Sequence, residues 1–132
     1  KGVFFAGQVF DAYRFVSDII RKANTEIVLI DNYLDDTVLT LLSKRKAKVA
    51  CTIYTKSIGK QLKLDIQKHN AQYPEIKLVE FKQGHDRFLI IDAADLYHIG
   101  ASLKDLGKKW FTFSKMNTKT VTVLENLKVA GV

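Results

Sequence analysis

The chain has one cysteine, one proline, one methionine and one tryptophan among 132 residues. The lone cysteine, Cys51, has no partner for an internal disulfide and sits inside an apolar run. That fits a reducing, cytoplasmic location. No apolar run approaches the ~18 residues of a membrane span. No signal-peptide pattern opens the chain either, so no membrane partner is expected. Repeats, low-complexity segments and internal linkers are lacking, so residues 1–132 read as a single domain. The first residue is Lys1 rather than Met, and a fragment of a longer chain is expected. Acidic residues are scarce beside basic ones, 14 against 21, which leaves a net charge of +7. A basic balance of that size points to an anionic partner, nucleic acid first. Hydrophobic residues make up 47% of the chain, enough to build a core, which excludes a disordered chain.

The apolar positions set out the elements. Lys1 to Gly7 reads as a strand or an arm. Ala12, Tyr13, Val16, Ile19, Ile20 and Ala23 recur at helical spacing and predict an amphipathic helix over 10–23. Arg14, Asp18, Arg21 and Lys22 lie off that stripe. Glu26 to Ile30 is a β-branched run and predicts a strand. Asp36 is placed to cap a helix from Thr37 to about Lys44. Lys48 to Thr55 predicts a second strand, with Cys51 in the core. Leu62, Ile66, His69 and Tyr73 mark a further helix that stops before the single proline, Pro74. Ile76 to Phe81 predicts a third strand. Two short runs, Phe88–Ile91 and Leu96–Ile99, read as a hairpin joined by Ala93, Ala94 and Asp95. Phe111 to Met116 alternates as a strand would, and Val121, Leu124 and Leu127 predict a short final helix. Such alternation argues for an α/β domain with a central mixed, largely parallel sheet flanked by helices.

The chemistry concentrates between His85 and Asp105. The hairpin puts His85 and Arg87 at the start of one strand and Gly100 to Lys104 at the end of the next. Those places share one sheet edge, so a His, an Arg, a Ser and a Lys converge there. Such a set is suited to gripping and attacking a phosphate. The pattern H-x-R-x-x-x-x-D followed by G-A-S-x-K-D resembles the signature of the phospholipase D superfamily. That signature has a His, a Lys two positions on, an Asp seven positions after the His, and then a Gly-Ser segment. His85 and Asp92 match in type and spacing, Arg87 stands at the Lys position, and Gly100 and Ser102 match with one residue interposed. The wording from IVLIDNYLDDTVLTLLSKR to YHIGASLKDLGKKWF also looks like the C-terminal module of bacterial proteins with a phage-antirepressor-like DNA-binding domain upstream.

The resemblance implies a phospholipase D-like layered fold and a phosphodiesterase or nuclease acting through a phosphohistidine. On that reading His85 is the nucleophile, Arg87 the phosphate clamp and Asp92 the acidic member of the motif. Ser102, Lys104 and Lys56 are further phosphate contacts. An imidazole is a good nucleophile near neutral pH, and cationic donors stabilise the transferring phosphoryl group. No metal and no cofactor are expected, and the sequence offers no metal-ligand cluster. One motif supplies one His, so a homodimer is expected to supply the second, and an upstream DNA-binding domain is implied in the full-length chain. Asn32 and Tyr33 follow a strand at the end where α/β sheets place ligands. Trp110, beside Lys108 and Lys109, suits a nucleic-acid backbone and a base, so Asn32, Tyr33 and Trp110 are the substrate-binding candidates.

Plainer readings stand beside these. His85 also suits a turn, Arg87 and Asp92 an ordinary pair of strand-end charges, and Trp110 a core or an interface. His69 reads as a packing or surface residue and His98 as structural. Three functions stay open: a homodimeric phosphodiesterase, a catalytically silent module that binds nucleic acid, and a dimerisation module for an upstream domain.

Overall fold

The helical stripe forms α1 (Val9–Lys22), which buries Ala12, Val16, Ile19 and Ile20 and turns Arg14, Asp18, Arg21 and Lys22 to solvent. This is a computed structural model that describes residues 2–84 and 86–129. Lys1, His85 and residues 130–132 lie outside the described residues, as does the side chain of Val129. After α1 come β2 (Glu26–Ile30), α2 (Asp36–Leu42), β3 (Ala50–Thr55), α3 (Lys60–Asn70) and β4 (Ile76–Glu80), with β1 (Gly2–Phe4) preceding α1. Each helix carries the chain back to the same end of the sheet, so β2, β3 and β4 pair in parallel.

Side-chain hydrogen bonds set two of the helix ends. The cap of α2 is Asp35 rather than Asp36: the Asp35 carboxylate accepts the Thr37 N–H at 3.0 Å, while Asp36 is already helical. Helix α3 ends at Asn70, short of Pro74. The Asn70 side chain accepts the Ile76 N–H at 2.9 Å and donates to the Ile76 carbonyl at 3.1 Å. Those two bonds fasten the helix end to the start of β4 and turn the chain early.

The hairpin is β5 (Arg87–Ile91) and β6 (Asp95–Ile99), followed by β7 (Phe111–Lys115) and α4 (Thr120–Val129). One seven-stranded sheet results, in the order β1-β7-β6-β5-β2-β3-β4. The sheet is mixed, as expected, but less parallel than the alternation suggests: two pairings are parallel and four antiparallel. No α-helix joins β5 to β6 or β6 to β7, and a direct connection between paired neighbours gives antiparallel strands.

Both faces of the sheet are covered at its centre. Ile27, Leu29, Ile53 and Leu89 pack with Val16, Ile20, Leu41 and Leu42 under α1, α2 and α3. Val28, Ile30, Ile90 and Leu96 pack with Leu127 of α4 on the other face. Leu89 and Ile90 are therefore both 0% exposed although they point opposite ways, which is why β5 reads as an unbroken apolar run. Cys51 lies in the first core, and burial pushes its thiol up to about 12. Among the described residues no helix is long and apolar enough to cross a membrane.

Candidate functional site

One end of the sheet gathers the chemistry. Ile30 of β2 lies opposite Phe88 of β5, and Arg87 lies opposite Ile99 of β6. The residues after β2, after β6 and before β7 therefore meet at the edge where β5 begins. There Arg87, Ser102 and Tyr33 line a cavity of about 370 Å³ with Lys108, Lys109 and Trp110. Arg87 Nη2 donates to the Gly100 carbonyl at 2.7 Å, so the hairpin fixes the guanidinium by its own far end. Arg87 Nε is buried and has no hydrogen-bond partner among the described residues. Lys108 stands 3.6 Å from Asp105, which Lys104 also meets at 3.2 Å. Trp110 is 71% exposed, and its ring meets Phe5 edge-on at 4.7 Å between centroids, which leaves a face free.

Beneath the cavity lies a buried carboxylate. Asp31 is 0% exposed and accepts the Tyr33 N–H at 3.1 Å and the Leu103 N–H at 2.9 Å. The Ser102 hydroxyl lies 2.9 and 3.0 Å from the two Asp31 oxygens and 2.8 Å from the Tyr33 carbonyl. Burial pushes the Asp31 carboxyl above its ordinary range. The Leu103 and Tyr33 N–H groups, the Ser102 hydroxyl and the nearby Arg87 charge pull the other way without cancelling it. Asp31 thus ties the loop that carries Tyr33 to the loop that leads to Trp110.

The expected site residues divide. Arg87, Ser102, Tyr33 and Trp110 share the cavity. His85 lies outside the described residues. Its neighbour Gly84 is held through its carbonyl, which accepts from Asn32 Nδ2 at 2.8 Å. Asn32 therefore acts on the backbone leading into His85 and does not line the cavity. Lys104 is engaged by Asp105 and does not line it either. Lys56 is exposed beyond β3, two strands away from β5. Ser102 has a single hydroxyl hydrogen, and its three near acceptors, the two Asp31 oxygens and the Tyr33 carbonyl, direct it into the molecule.

Asp92 is at the opposite end of β5. Five positions at roughly 3.3 Å each separate it from Arg87 by roughly 17 Å. There its carboxylate accepts the N–H groups of Asn24 at 3.0 Å, Thr25 at 2.7 Å and Glu26 at 3.1 Å, with the Thr25 hydroxyl at 2.9 Å. Partial desolvation works to raise its pKa. The Thr25, Asn24 and Glu26 N–H groups and the Thr25 hydroxyl outweigh it and hold the carboxyl at about 2. Asp92 fastens the hairpin to the turn between α1 and β2 rather than serving the cavity. His98 Nε2 stands 3.6 Å from Asp86, beside the Phe88 ring. Among the described residues no three His, Cys, Asp or Glu side chains converge on one point.

Sequence reasoning passed over Asp31, and a signal for it existed. Ile27, Leu29 and Asp31 share one face by the alternation of a strand, the face that packs under α1, α2 and α3.

No family model and no curated protein matches the chain. Solved structures do match its fold. NucT from Helicobacter pylori superposes with a TM-score of 0.65 at 13% identity, over 96% of this chain and 91% of that one. TrmBL2, an archaeal chromatin protein with a novel mode of DNA binding, superposes with a TM-score of 0.63 at 14% identity, over 96% of this chain. The match spans 51% of the TrmBL2 chain, about half its length. At these identities the likeness is one of fold: a mixed α/β sheet flanked by helices, arranged as in NucT.

Proposed function

We propose that this domain binds the phosphate backbone of nucleic acid in the cavity at the sheet edge, with Arg87 as the clamp. The observation that carries this reading is the cavity wall itself. It sets Arg87, Lys108 and Lys109 against one lining carboxylate, Asp105, and adds the exposed rings of Tyr33 and Trp110. Cations at that density favour a polyanion, and exposed rings stack on bases. The net charge of +7 supports the same choice. A domain of similar fold occurs in TrmBL2, which binds DNA. The test is the salt dependence of DNA affinity. Arg87→Ala should weaken binding and lower the slope of log affinity against log salt by about 0.7–0.9. Equal affinity and slope in the variant would sink this reading.

A second reading adds cleavage in a homodimer, favoured by the hold of Asn32 on the Gly84 carbonyl. A nucleophile must be presented in one geometry, and that bond fixes the residue preceding His85. In this reading an imidazole nitrogen of His85 attacks phosphorus and the bond to the leaving oxygen breaks. Arg87 balances the charge on the phosphoryl oxygens, and the same histidine of a second copy gives the leaving oxygen its proton. Hydrolysis of bis-p-nitrophenyl phosphate in EDTA, abolished by His85→Ala, supports it. DNA binding without turnover leaves the binding module alone, and a monomer at high concentration removes the shared site.

A further inference from the structure

A second cavity, of about 340 Å³, opens at the same end of the sheet but on the face that α4 covers. Its apolar wall is Ile30 of β2, Phe88 of β5, Val123 and Leu127 of α4, and Phe81 just past β4. Ile30 and Leu127 are buried, and the two phenylalanine rings are half-buried against that core. Both rings are held in place. The Phe81 N–H donates to the Thr55 carbonyl at 2.7 Å, and its ring meets Tyr54 edge-on at 6.1 Å between centroids. A Cβ on Gly84 would stand 2.9 Å from Phe81 Cε2, so the Gly84 backbone lies directly against that ring. The Phe88 ring lies 5.4 Å from the His98 ring.

The rim is polar. Asp86 is the single charged group among the described lining residues, beside the amides of Gln83 and Asn126. Asn126 Nδ2 donates to the Thr122 carbonyl at 2.8 Å, which leaves its Oδ1 to accept. Asp86 Oδ1 stands 3.6 Å from His98 Nε2, beyond hydrogen-bond length, so both carboxylate oxygens can accept as well. A lone carboxylate repels phosphate from this cavity, while Arg87 attracts it to the other. The two cavities nonetheless flank the start of one strand. Asp86 lines one and Arg87 the other, on Cα atoms ~3.8 Å apart, and the Arg87 and Phe88 side chains leave β5 on opposite faces.

We infer that this cavity receives one unpaired nucleobase, guanine before the others, from a strand whose phosphate lies on Arg87. The inference rests on the phosphate reading above and adds to it the part of the strand that carries sequence. A slot with aromatic walls and no positive charge takes a planar, neutral ring. Unpaired bases are recognised by stacking on such rings, with polar groups at their edges. A base in a duplex is excluded, because its faces and its pairing edge are already occupied. An aliphatic chain makes no use of the rim. Asp86 favours guanine, which alone among the bases presents two adjacent N–H donors, at N1 and N2, to the two oxygens of one carboxylate. Thymine presents one N–H between two carbonyls, which a carboxylate repels.

The test titrates the full chain with three single strands of equal length: one abasic throughout, one of thymine, and one of thymine with a central guanine. The Val123 and Leu127 methyl groups are followed by ¹³C NMR. The guanine strand should shift both methyls and bind about tenfold more tightly than the thymine strand. The abasic strand should bind more weakly than either and leave the methyls unmoved. Asp86→Asn, at an exposed position, should bring the guanine and thymine strands to equal affinity. Val123→Phe fills the cavity and should cancel the gain from bases without changing the affinity for the abasic strand. Arg87→Ala should weaken all three strands. If the abasic strand binds as tightly as the others and Arg87→Ala weakens it, the base cavity is overturned and the phosphate reading stands. If no strand binds, or none is weakened by Arg87→Ala, both fall. The cavity is also overturned if base-bearing strands change Trp110 emission but not the two methyls, which places the base on Trp110. Methyls that respond to hexanoate and to no strand assign an aliphatic ligand and overturn it too.

Discussion

The Ser102 hydroxyl is turned into the molecule, 2.9 Å from Asp31 Oδ1 and 2.8 Å from the Tyr33 carbonyl. A serine in that position acts on a phosphate only through the loops it fastens. Ser102→Ala leaves Asp31 with the Leu103 and Tyr33 N–H groups but removes its hydroxyl partner. The variant should lose about 1–2 kcal/mol of stability. Its DNA affinity, measured well below the unfolding transition, should stay within about threefold of wild type, since a direct phosphate contact is not removed. Arg87→Ala should show the reverse, with little change in stability and a clear loss of binding. A large drop in affinity in stable Ser102→Ala would restore the serine to the phosphate.

Asp31 gives this network a pH dependence of known sign. Burial raises its folded pKa above the ordinary 3.8. The folded state therefore holds the proton more tightly than the unfolded chain does. The stability contributed by this group is full below 3.8 and is lost as the pH rises through the folded value. Asp31→Asn has no such titration. Wild type should gain on Asp31→Asn as the pH falls from about 7 toward about 4, as read by urea unfolding. A gap between the two proteins that stays constant over that range would show that Asp31 is ionised throughout.

How much of this was legible in the sequence follows from distance along the chain. The hairpin was readable because its strands and turn are local. Its consequence, Arg87 beside Gly100, came with it. The burial of Ser102 was not readable, because its partner Asp31 lies 71 positions away and only the closed sheet brings the two together. The Asp92 position was readable in principle. A motif whose acid follows five residues after the Arg, along an extended run, must put the two at opposite strand ends. Lys104 was misplaced for a different reason. The segment after Ser102 forms a short turn over Leu103–Asp105 that pairs Lys104 with Asp105 and hands the cavity to Lys108 and Lys109.

At that opposite end, Asp92 titrates with the opposite sign to Asp31. Its folded pKa is held at about 2, below the ordinary 3.8. The stability it contributes is present above the unfolded value and is lost as the pH falls from about 4 through about 2. Asp92→Asn should lower stability at neutral pH by about 1–3 kcal/mol, since the turn N–H groups lose a charged acceptor. The same variant should unfold less steeply on acidification than wild type. Parallel acid-unfolding curves would place the acid-sensitive carboxylate elsewhere.

Gly107 shows how the Trp110 loop is held. Its φ is +76°, and a Cβ there would lie 2.4 Å from Val9 Cα and 2.7 Å from Val9 N. Its carbonyl accepts the Gly7 N–H at 2.9 Å, and nearby the Phe5 and Trp110 rings meet. The segment before α1 thus closes directly over the loop that carries Lys108, Lys109 and Trp110. Gly107→Ala adds a left-handed alanine and a clash with backbone that cannot swing aside, together on the order of 3 kcal/mol. Gly7→Ala is the matched control, with φ at +92° and open space around its Cβ, so strain alone acts there, about 1 kcal/mol. Trp110 is the single tryptophan, so its emission reports on this loop directly. Gly107→Ala should shift that emission and weaken DNA binding while the Arg87 contact to Gly100 persists. Gly7→Ala should lower the melting temperature slightly and leave both signals near wild type. Equal effects from the two substitutions would mean that the close approach to Val9 does not hold the loop.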